Sequence, residues 1–338
     1  MNQPVTVTRR SLLAAGGLFL LTACGEAGGA GETKEAATPA GGSWEFTDDR
    51  GKKVTRPQRP TTIVAQLSSA AALWDLGIRP VGTFGESRNT DGTPALAAGS
   101  IDLSKVTSIS ETYGEFNLEK YAALQPELLI APMQVANELW YVPAASVQPI
   151  EALTPIVAVT HLDKTVPQVI DRYAELAKAL GADLAAEPVT NAKAEFEAAS
   201  KALTETAGRL AGLKVLFLSA TPENAYLGNA EQFSDLRTLA DLGVRFVTPK
   251  PDQAEPHWET VSWEQVGKYP ADVLLYDERS RDIFTKDKAK IPTYLQMPAV
   301  KAGQTIAWNP TLPASWAGFA PALRKLTADL GRMRPLGG

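Results

Sequence analysis

Asn117-Leu118-Glu119-Lys120-Tyr121-Ala122-Ala123-Leu124-Gln125-Pro126-Glu127-Leu128-Leu129-Ile130 holds a complete supersecondary unit. Asn117 is a helix cap, and Glu119 stands at the second helical position, where a negative charge complements the helix dipole. Pro126 marks the turn, and Leu128 to Ile130 form a buried strand. The same grammar returns in Ser262-Trp263-Glu264-Gln265, which leads through a short helix to Pro270-Ala271-Asp272-Val273-Leu274-Leu275. Asn117 and Ser262, Glu119 and Glu264, and Leu128 and Val273 are each 145 positions apart. Ser262 and Gln265 have the spacing of a capping box. One unit used twice at a fixed offset predicts two lobes of one architecture that face each other across a cleft.

Outward from these units, short apolar runs alternate with helical patterns. They are Ile63-Val64-Ala65, Pro80-Val81-Gly82, Leu128-Leu129-Ile130-Ala131 and Ile156-Val157-Ala158-Val159, then Val215-Leu216-Phe217-Leu218, Arg245-Phe246-Val247, Val273-Leu274-Leu275-Tyr276 and Ile306-Ala307-Trp308. Continuous rather than alternating hydrophobicity marks strands covered on both faces, the habit of parallel sheets wrapped by helices. The class is α/β. Two consecutive helix stripes break this rhythm near the midpoint. One runs through Val166, Val169, Ile170, Tyr173, Leu176, Ala177 and Leu180 to Gly181, the other through Phe196, Ala199, Leu203, Ala207 and Leu210. The first is read as a connector over residues 163–184, between an N-terminal lobe at 44–162 and a C-terminal lobe with a final helix at 185–338. About 295 residues follow Trp44, enough for each lobe to have its own core. Trp44-Glu45-Phe46-Thr47 and Lys53-Val54-Thr55 flank Asp48-Asp49-Arg50-Gly51 as a hairpin. Its two adjacent acids are expected to be solvated and to have no role.

The N-terminus carries its own message. Residues 1–23 have a basic start at Arg9 and Arg10, then an apolar core ending in small residues, which is a secretory signal segment too short to span a bilayer as a lasting anchor. Leu21-Thr22-Ala23-Cys24 resembles the lipobox of bacterial lipoproteins, and Cys24 is the expected lipid attachment point. Cys24 is the only cysteine, so no intramolecular disulfide holds the fold. Thr8-Arg9-Arg10-Ser11-Leu12-Leu13 suits twin-arginine export and general export alike. Residues 24–43 are rich in Gly, Ala, Glu and Thr, the composition of a flexible tether. The formal net charge is −5, and removing Arg9 and Arg10 leaves 31 basic against 38 acidic residues, a net of −7. Nucleic acid is therefore an unsuitable partner.

The chain resembles the solute-binding lipoproteins of ABC importers for iron siderophores, haem and cobalamin. The likeness rests on the opening hairpin, Pro60-Thr61-Thr62-Ile63-Val64, Ala72-Leu73-Trp74-Asp75-Leu76-Gly77-Ile78-Arg79-Pro80-Val81-Gly82, and the two repeated segments 117–131 and 261–275. It implies two Rossmann-like lobes with mainly parallel central sheets, bridged by one long α-helix, with the ligand cleft between them. It implies no catalysis and no cofactor. It also implies that Glu119 and Glu264 dock onto arginines of a membrane permease, that the protein is a monomer, and that the lipid on Cys24 holds it to the outer face of the cytoplasmic membrane.

Ligand contacts are expected in loops after the strands. In the first lobe these are residues 66–69, 84–88, 113–116, 132–134 and 140–141. In the second they are 219–226, 257–258, 277–282 and 308–309. Candidates are Ser68, Arg88, Tyr113, Met133, Trp140, Tyr141, Tyr226, Trp258, Arg279 and Trp308, with Arg281 as a further arginine. Of seven tryptophans, Trp74, Trp263 and Trp316 lie in helical patterns and read as core. Aromatic walls with a few arginines suit a ferric siderophore of hydroxamate type, whose metal-bound oxygens accept from a guanidinium. Haem, with Tyr113, Tyr226 or His257 as axial ligand, and cobalamin are the alternatives within the family. A bare metal ion needs more than His161 and His257. A surface-tethered hydrolase is the alternative of another class. The chain has no Gly-x-Ser-x-Gly elbow, phosphate loop or His-Glu-x-x-His, and Ser219 opens a loop rather than a tight strand-to-helix turn.

Overall fold

The computed structural model describes residues 43–89, 91–251 and 255–337. The signal segment, Cys24 and the tether to residue 42 lie outside the described residues. No described helix is long and apolar enough to cross a membrane.

The chain opens with β1 (Trp44–Thr47) paired antiparallel with β2 (Lys53–Arg56). The first lobe follows as β3 (Ile63–Gln66), α1 (Leu67–Asp75), β4 (Gly82–Phe84), β5 (Thr107–Ser110), α2 (Leu118–Ala123), β6 (Leu128–Met133), α3 (Ala144–Leu153) and β7 (Ile156–Thr160). Its five strands run in the order β5-β4-β3-β6-β7, all parallel. The chain reverses direction across the sheet at β3 and β6, and a crevice beyond the carboxyl ends of those strands is where such sheets bind ligands. The strand expected at Pro80-Val81-Gly82 begins two residues later, because Pro80 has no N–H to donate. β5 carries one buried side chain, Ile109, and otherwise polar residues, so no apolar run announces it.

The adjacent acids of the hairpin are not solvated. Asp48 is 3% exposed, and its carboxylate accepts the amides of Arg50 and Lys52 at 3.0 Å and of Ala158 at 3.1 Å. Asp49 accepts the Thr160 amide at 2.7 Å and Arg172 Nε at 2.7 Å, while Arg50 donates to the Ile156 carbonyl at 2.9 Å. β7 is the edge strand of its sheet, and its outer amides have no neighbouring strand to pair with. The hairpin turn supplies those partners and closes the edge.

Helix α4 (Val166–Ala179) leaves the first lobe, with Gln168 Oε1 accepting the Thr165 amide at 2.9 Å at its start. It buries Val166, Val169, Ile170, Tyr173, Leu176 and Ala177, and it packs on α1 and β7 as well as on a helix of the second lobe. At about 1.5 Å per residue it is roughly 21 Å long, shorter than the span 163–184. The next helix, α5 (Glu187–Arg209), is the longer one.

The second lobe continues with β8 (Lys214–Ala220), β9 (Asn224–Gly228), α6 (Ser234–Asp241), β10 (Arg245–Phe246), β11 (Trp258–Ser262) and β12 (Val273–Asp277). It closes with α7 (Arg281–Thr285), α8 (Pro292–Gln296), α9 (Pro298–Lys301), β13 (Thr305–Trp308) and α10 (Trp316–Leu330). The strand order is β11-β9-β8-β12-β13, with β10 beside the start of β8. Strands β8, β10, β12 and β13 are parallel, but β9 is antiparallel to β8 and to β11. Tyr226 and Trp258, expected in loops, therefore stand on strands. The hydrophobic alternation of β9 and the glycine at its end hid it among turn residues. Gly228 is required there, because a Cβ would lie 2.4 Å from the Phe217 ring and 3.2 Å from that of Trp258.

The segment after Ser262 is a 3₁₀ turn, Trp263–Lys268, rather than an α-helix, and Ser262 caps no backbone amide. The capping box with Gln265 does not form, whereas Asn117 does cap α2, accepting the Lys120 amide at 2.9 Å. The core is also shared more than expected. One cluster fills the space between the first sheet, α2 and α3, and another lies within the second lobe. The largest runs unbroken from Ile63, Leu73 and Val157 through Val169 and Tyr173 to Phe217, Leu275 and Phe319. The two lobes are joined by packed apolar surface, and each large side chain in it contributes about 1.5–3 kcal/mol. Helix α10 takes part, packing on α5 and reaching α1, where Ser315 Oγ donates to Asp75.

Candidate ligand cleft

The seam between the lobes is organised by the chain crossing from β7 into α4. Ser234 Oγ, at the start of α6, donates to the His161 carbonyl at 3.2 Å, and the Val166 amide donates to Thr238 Oγ1 at 2.7 Å. His161 is half-buried, with Nδ1 3.3 Å from Gln134 Nε2 and Nε2 3.5 Å from the Tyr173 hydroxyl, which lies 2.6 Å from Ser69 Oγ. Burial pushes its imidazole down to about 4, so the ring is neutral at physiological pH.

On the first-lobe side, the loop after β6 turns back through Leu139 to Val142, with the Trp140 amide donating to the Pro132 carbonyl at 2.9 Å. That turn puts Tyr141 at φ 66°, a left-handed conformation uncommon for an aromatic residue. The result is a three-ring cluster. Tyr113 lies 5.2 Å from Trp140 and 5.1 Å from Tyr141, and Trp140 lies 6.0 Å from Tyr141, each pair tilted or edge-on. Such pairs add about 0.5–1.5 kcal/mol beyond burial. Tyr113 is nonetheless 56% exposed, a large apolar ring held open to solvent. Burial, followed by the adjacent Glu86 carboxylate, pushes the Tyr141 hydroxyl up to about 12, and Arg279 opposes the rise. Tyr141 is thus a neutral donor throughout the physiological range.

Arg279 comes from the other lobe, immediately beyond β12. The buried Asp277 carboxylate accepts its Nε at 3.0 Å and its Nη2 at 2.6 Å, and also caps its amide at 3.0 Å. Burial works against the guanidinium charge, but Asp277, Asp235 and Tyr141 together hold it firmly protonated. About half of the side chain, 49%, remains exposed. Among the described residues its Nη1 donates to no acceptor, so one edge of a rigid fork is presented to the seam.

A second aromatic group lies on the α6 side of the second sheet. Trp258 stacks on Phe217 at 5.6 Å, with Phe233 edge-on at 4.9 Å and Tyr226 at 6.3 Å, while His257 meets Phe233 at 5.2 Å. Phe233 directly precedes Ser234 and so sits beside the seam. It was not among the expected contacts, because in sequence it is a single aromatic before a helix.

Residues 64–312 match the periplasmic binding protein family. The chain belongs to this family. This periplasmic binding protein is 39% identical to DesE, a ferric-siderophore receptor protein from Streptomyces coelicolor, over 87% of its own length and 100% of that chain, with a TM-score of 0.81. Two more distant structures share its fold. The siderophore periplasmic binding protein from the fuscachelin gene cluster of Thermobifida fusca is 20% identical, over 81% and 97% of the two chains, at a TM-score of 0.60. FhuD from Vibrio cholerae, a siderophore binding protein with bound Fe3+–Desferal, is 21% identical over 81% and 100%, at 0.58. No curated protein sequence matches. The family consists of solute-binding receptors rather than enzymes, and it places this binding protein outside the cytoplasm.

The expected contacts divide sharply against this frame. Tyr113, Trp140, Tyr141 and Arg279 converge on the seam, and Tyr226 and Trp258 join the second cluster. Trp308 does not: it is 3% exposed, packed on Phe319, and its indole donates to Asp235 at 2.6 Å inside the core. Met133 is 4% exposed and packs in the first-lobe core. Ser68 turns its hydroxyl to Gln66 Oε1 at 2.6 Å, and Arg88 is exposed and donates to the Gly92 carbonyl at 3.0 Å. Arg281 is spent on an ion pair with Glu278. Among the described residues no three metal-ligating side chains come together. Glu119 and Glu264 are both exposed, and the Ser262 hydroxyl holds the Glu264 carboxyl below the ordinary carboxylate range.

Proposed function

We propose that this binding protein captures a ferric siderophore of hydroxamate type between its lobes and delivers it to an ABC-transporter permease. The reading is carried by Arg279, a cationic fork fixed by Asp277 whose charge acts on the Tyr141 phenol of the other lobe, together with the exposed Tyr113 ring beside Trp140 and Tyr141. Three metal-bound hydroxamate groups present oxygen acceptors around an apolar shell. A guanidinium edge and a phenolic O–H donate to such oxygens, and the rings cover the hydrocarbon. The 39% identity to a ferric-siderophore receptor supports the same cargo.

In this reading residues 44–162 and 185–338 are the lobes, 163–184 the connector, and closure is small because packed apolar surface joins them. Tyr226 and Trp258 line the second wall. Glu119 and Glu264 dock on the permease, and the lipid on Cys24 holds the monomer at the outer face of the cytoplasmic membrane. Tryptophan fluorescence tests the cargo. Ferric hydroxamates are expected to quench Trp140 and Trp258 at submicromolar concentration. Quenching by haem or cobalamin alone overturns the assignment.

A further inference from the structure

The pairing of β8 with β12 ends at Leu218 opposite Tyr276. Beyond that point β8 turns into β9, with Ala220 opposite Ala225, and β12 runs into the turn Glu278–Ser280 that carries Arg279. Ser280 bridges the two chains where the ladder has stopped. Its Oγ donates to the Ala220 carbonyl at 2.9 Å and accepts the Ala220 amide at 3.2 Å, and Ser219 Oγ lies 3.1 Å away. A hydroxyl has one proton and two lone pairs. The Ser280 proton goes to the Ala220 carbonyl, so Ser219 is the donor in the serine pair. The Ala220 amide and the Ser219 hydroxyl then fill both acceptor places. One side chain thus stands in for a missing rung of the sheet, and its hydrogen-bonding capacity is used up in doing so.

Arg279 is flanked by two anchors on this turn. Asp277, two residues before it, holds the guanidinium and caps the Arg279 amide, which ties the fork to the end of its own strand. Ser280, the next residue, ties the turn to the end of the neighbouring strand. From this bracket, and resting on the reading of Arg279 as a ligand contact, we infer that Ser280 is a positioning residue for Arg279. It touches no ligand itself, because its hydroxyl is saturated by β8. Its bond to Ala220 fixes the backbone of the turn, so the open edge of the fork meets the seam in one place. Ser280→Ala leaves both Ala220 backbone groups without that partner and lets the turn and its arginine move about Asp277.

The test is a double-mutant cycle on the purified protein, read by titration with ferric desferrioxamine B. Ser280→Ala is expected to weaken binding about three- to tenfold when Arg279 is present and to cost nothing further in an Arg279→Ala background. A second readout needs no ligand. Exchange of the Arg279 Nε proton with water, followed by NMR, is expected to rise several-fold in Ser280→Ala. Ser280→Thr, which keeps the hydroxyl, is expected to retain the affinity and the slow exchange of the wild type. The same loss of affinity with and without Arg279 overturns the inference, as does unchanged Nε exchange in Ser280→Ala. A threonine variant as impaired as the alanine one in both readouts also overturns it. Faster Nε exchange in Ser280→Ala, in a protein whose wild type fails to bind ferric desferrioxamine B, overturns the cargo reading and supports the positioning of Arg279 by Ser280.

Discussion

Asp277 holds Arg279 by two guanidinium nitrogens, at 3.0 and 2.6 Å, while its own carboxylate is wholly buried. A carboxylate so placed is tolerable only because the arginine and a backbone amide satisfy it, and the arginine in return keeps one orientation. Arg279→Lys replaces the planar fork with a point charge and is expected to weaken ferric hydroxamate binding about tenfold or more with little change in melting temperature. Asp277→Asn is expected to weaken binding and lower the melting temperature together. Titration and thermal melts of the two variants separate these roles.

The hairpin clamp predicts a stability defect far from the ligand. Asp48→Ala removes the acceptor for the Ala158 amide and for Arg50, leaving both short of partners at a sheet edge. The expected cost is about 2–4 kcal/mol in chemical denaturation, with ligand affinity of the folded fraction unchanged. A loss below about 0.5 kcal/mol contradicts the clamp.

Two desolvated groups near the seam, the half-buried His161 and the buried Asp235, give opposite pH dependences. The His161 imidazole is pushed down to about 4 from 6.5, so the unfolded chain binds its proton first, and stability is lost as pH falls from about 6.5 to 4. Burial raises the Asp235 carboxyl to about 6 from 3.8, so its contribution is present below about 3.8 and is lost as pH rises towards 6. The two nearly cancel between pH 4 and 6. Asp235→Asn is expected to unmask the first, giving a protein that loses a few kcal/mol on acidification across that window. Denaturation curves at pH 4, 5, 6 and 7 check the sign.

Permease docking is separable from capture. The Glu119→Ala, Glu264→Ala double variant is expected to bind ligand as the wild type does and to fail in uptake by whole cells. Both side chains are exposed, so a folding defect is not expected. Normal uptake by the double variant refutes the docking role.

The sequence shows the sheets and half of the site, and the reason for the division is physical. Continuous runs such as Leu128-Leu129-Ile130-Ala131 announce strands buried on both faces, and the repeated cap-helix-proline-strand unit announces the paired lobes. Edge strands β5 and β11, and β9 between β11 and β8, stay hidden because one of their faces is polar. Tyr113, Trp140 and Tyr141 are legible as candidates because all three fall in loops that follow strands, Tyr113 after β5 and the other two after β6. Trp308 was misread because its hydrogen-bond partner, Asp235, is 73 positions away. Asp48 and Asp49 were misread for the same reason, since the amides they clamp lie 110 and 111 positions on.

The most direct test of the cleft is a titration of the purified protein with ferric desferrioxamine B, repeated with the Tyr141→Phe, Arg279→Ala double variant. Saturation of the wild type at one equivalent with a submicromolar Kd, and at least a hundredfold loss in the double variant, is the predicted result. Equal affinity in the two proteins, or no binding by the wild type, contradicts it.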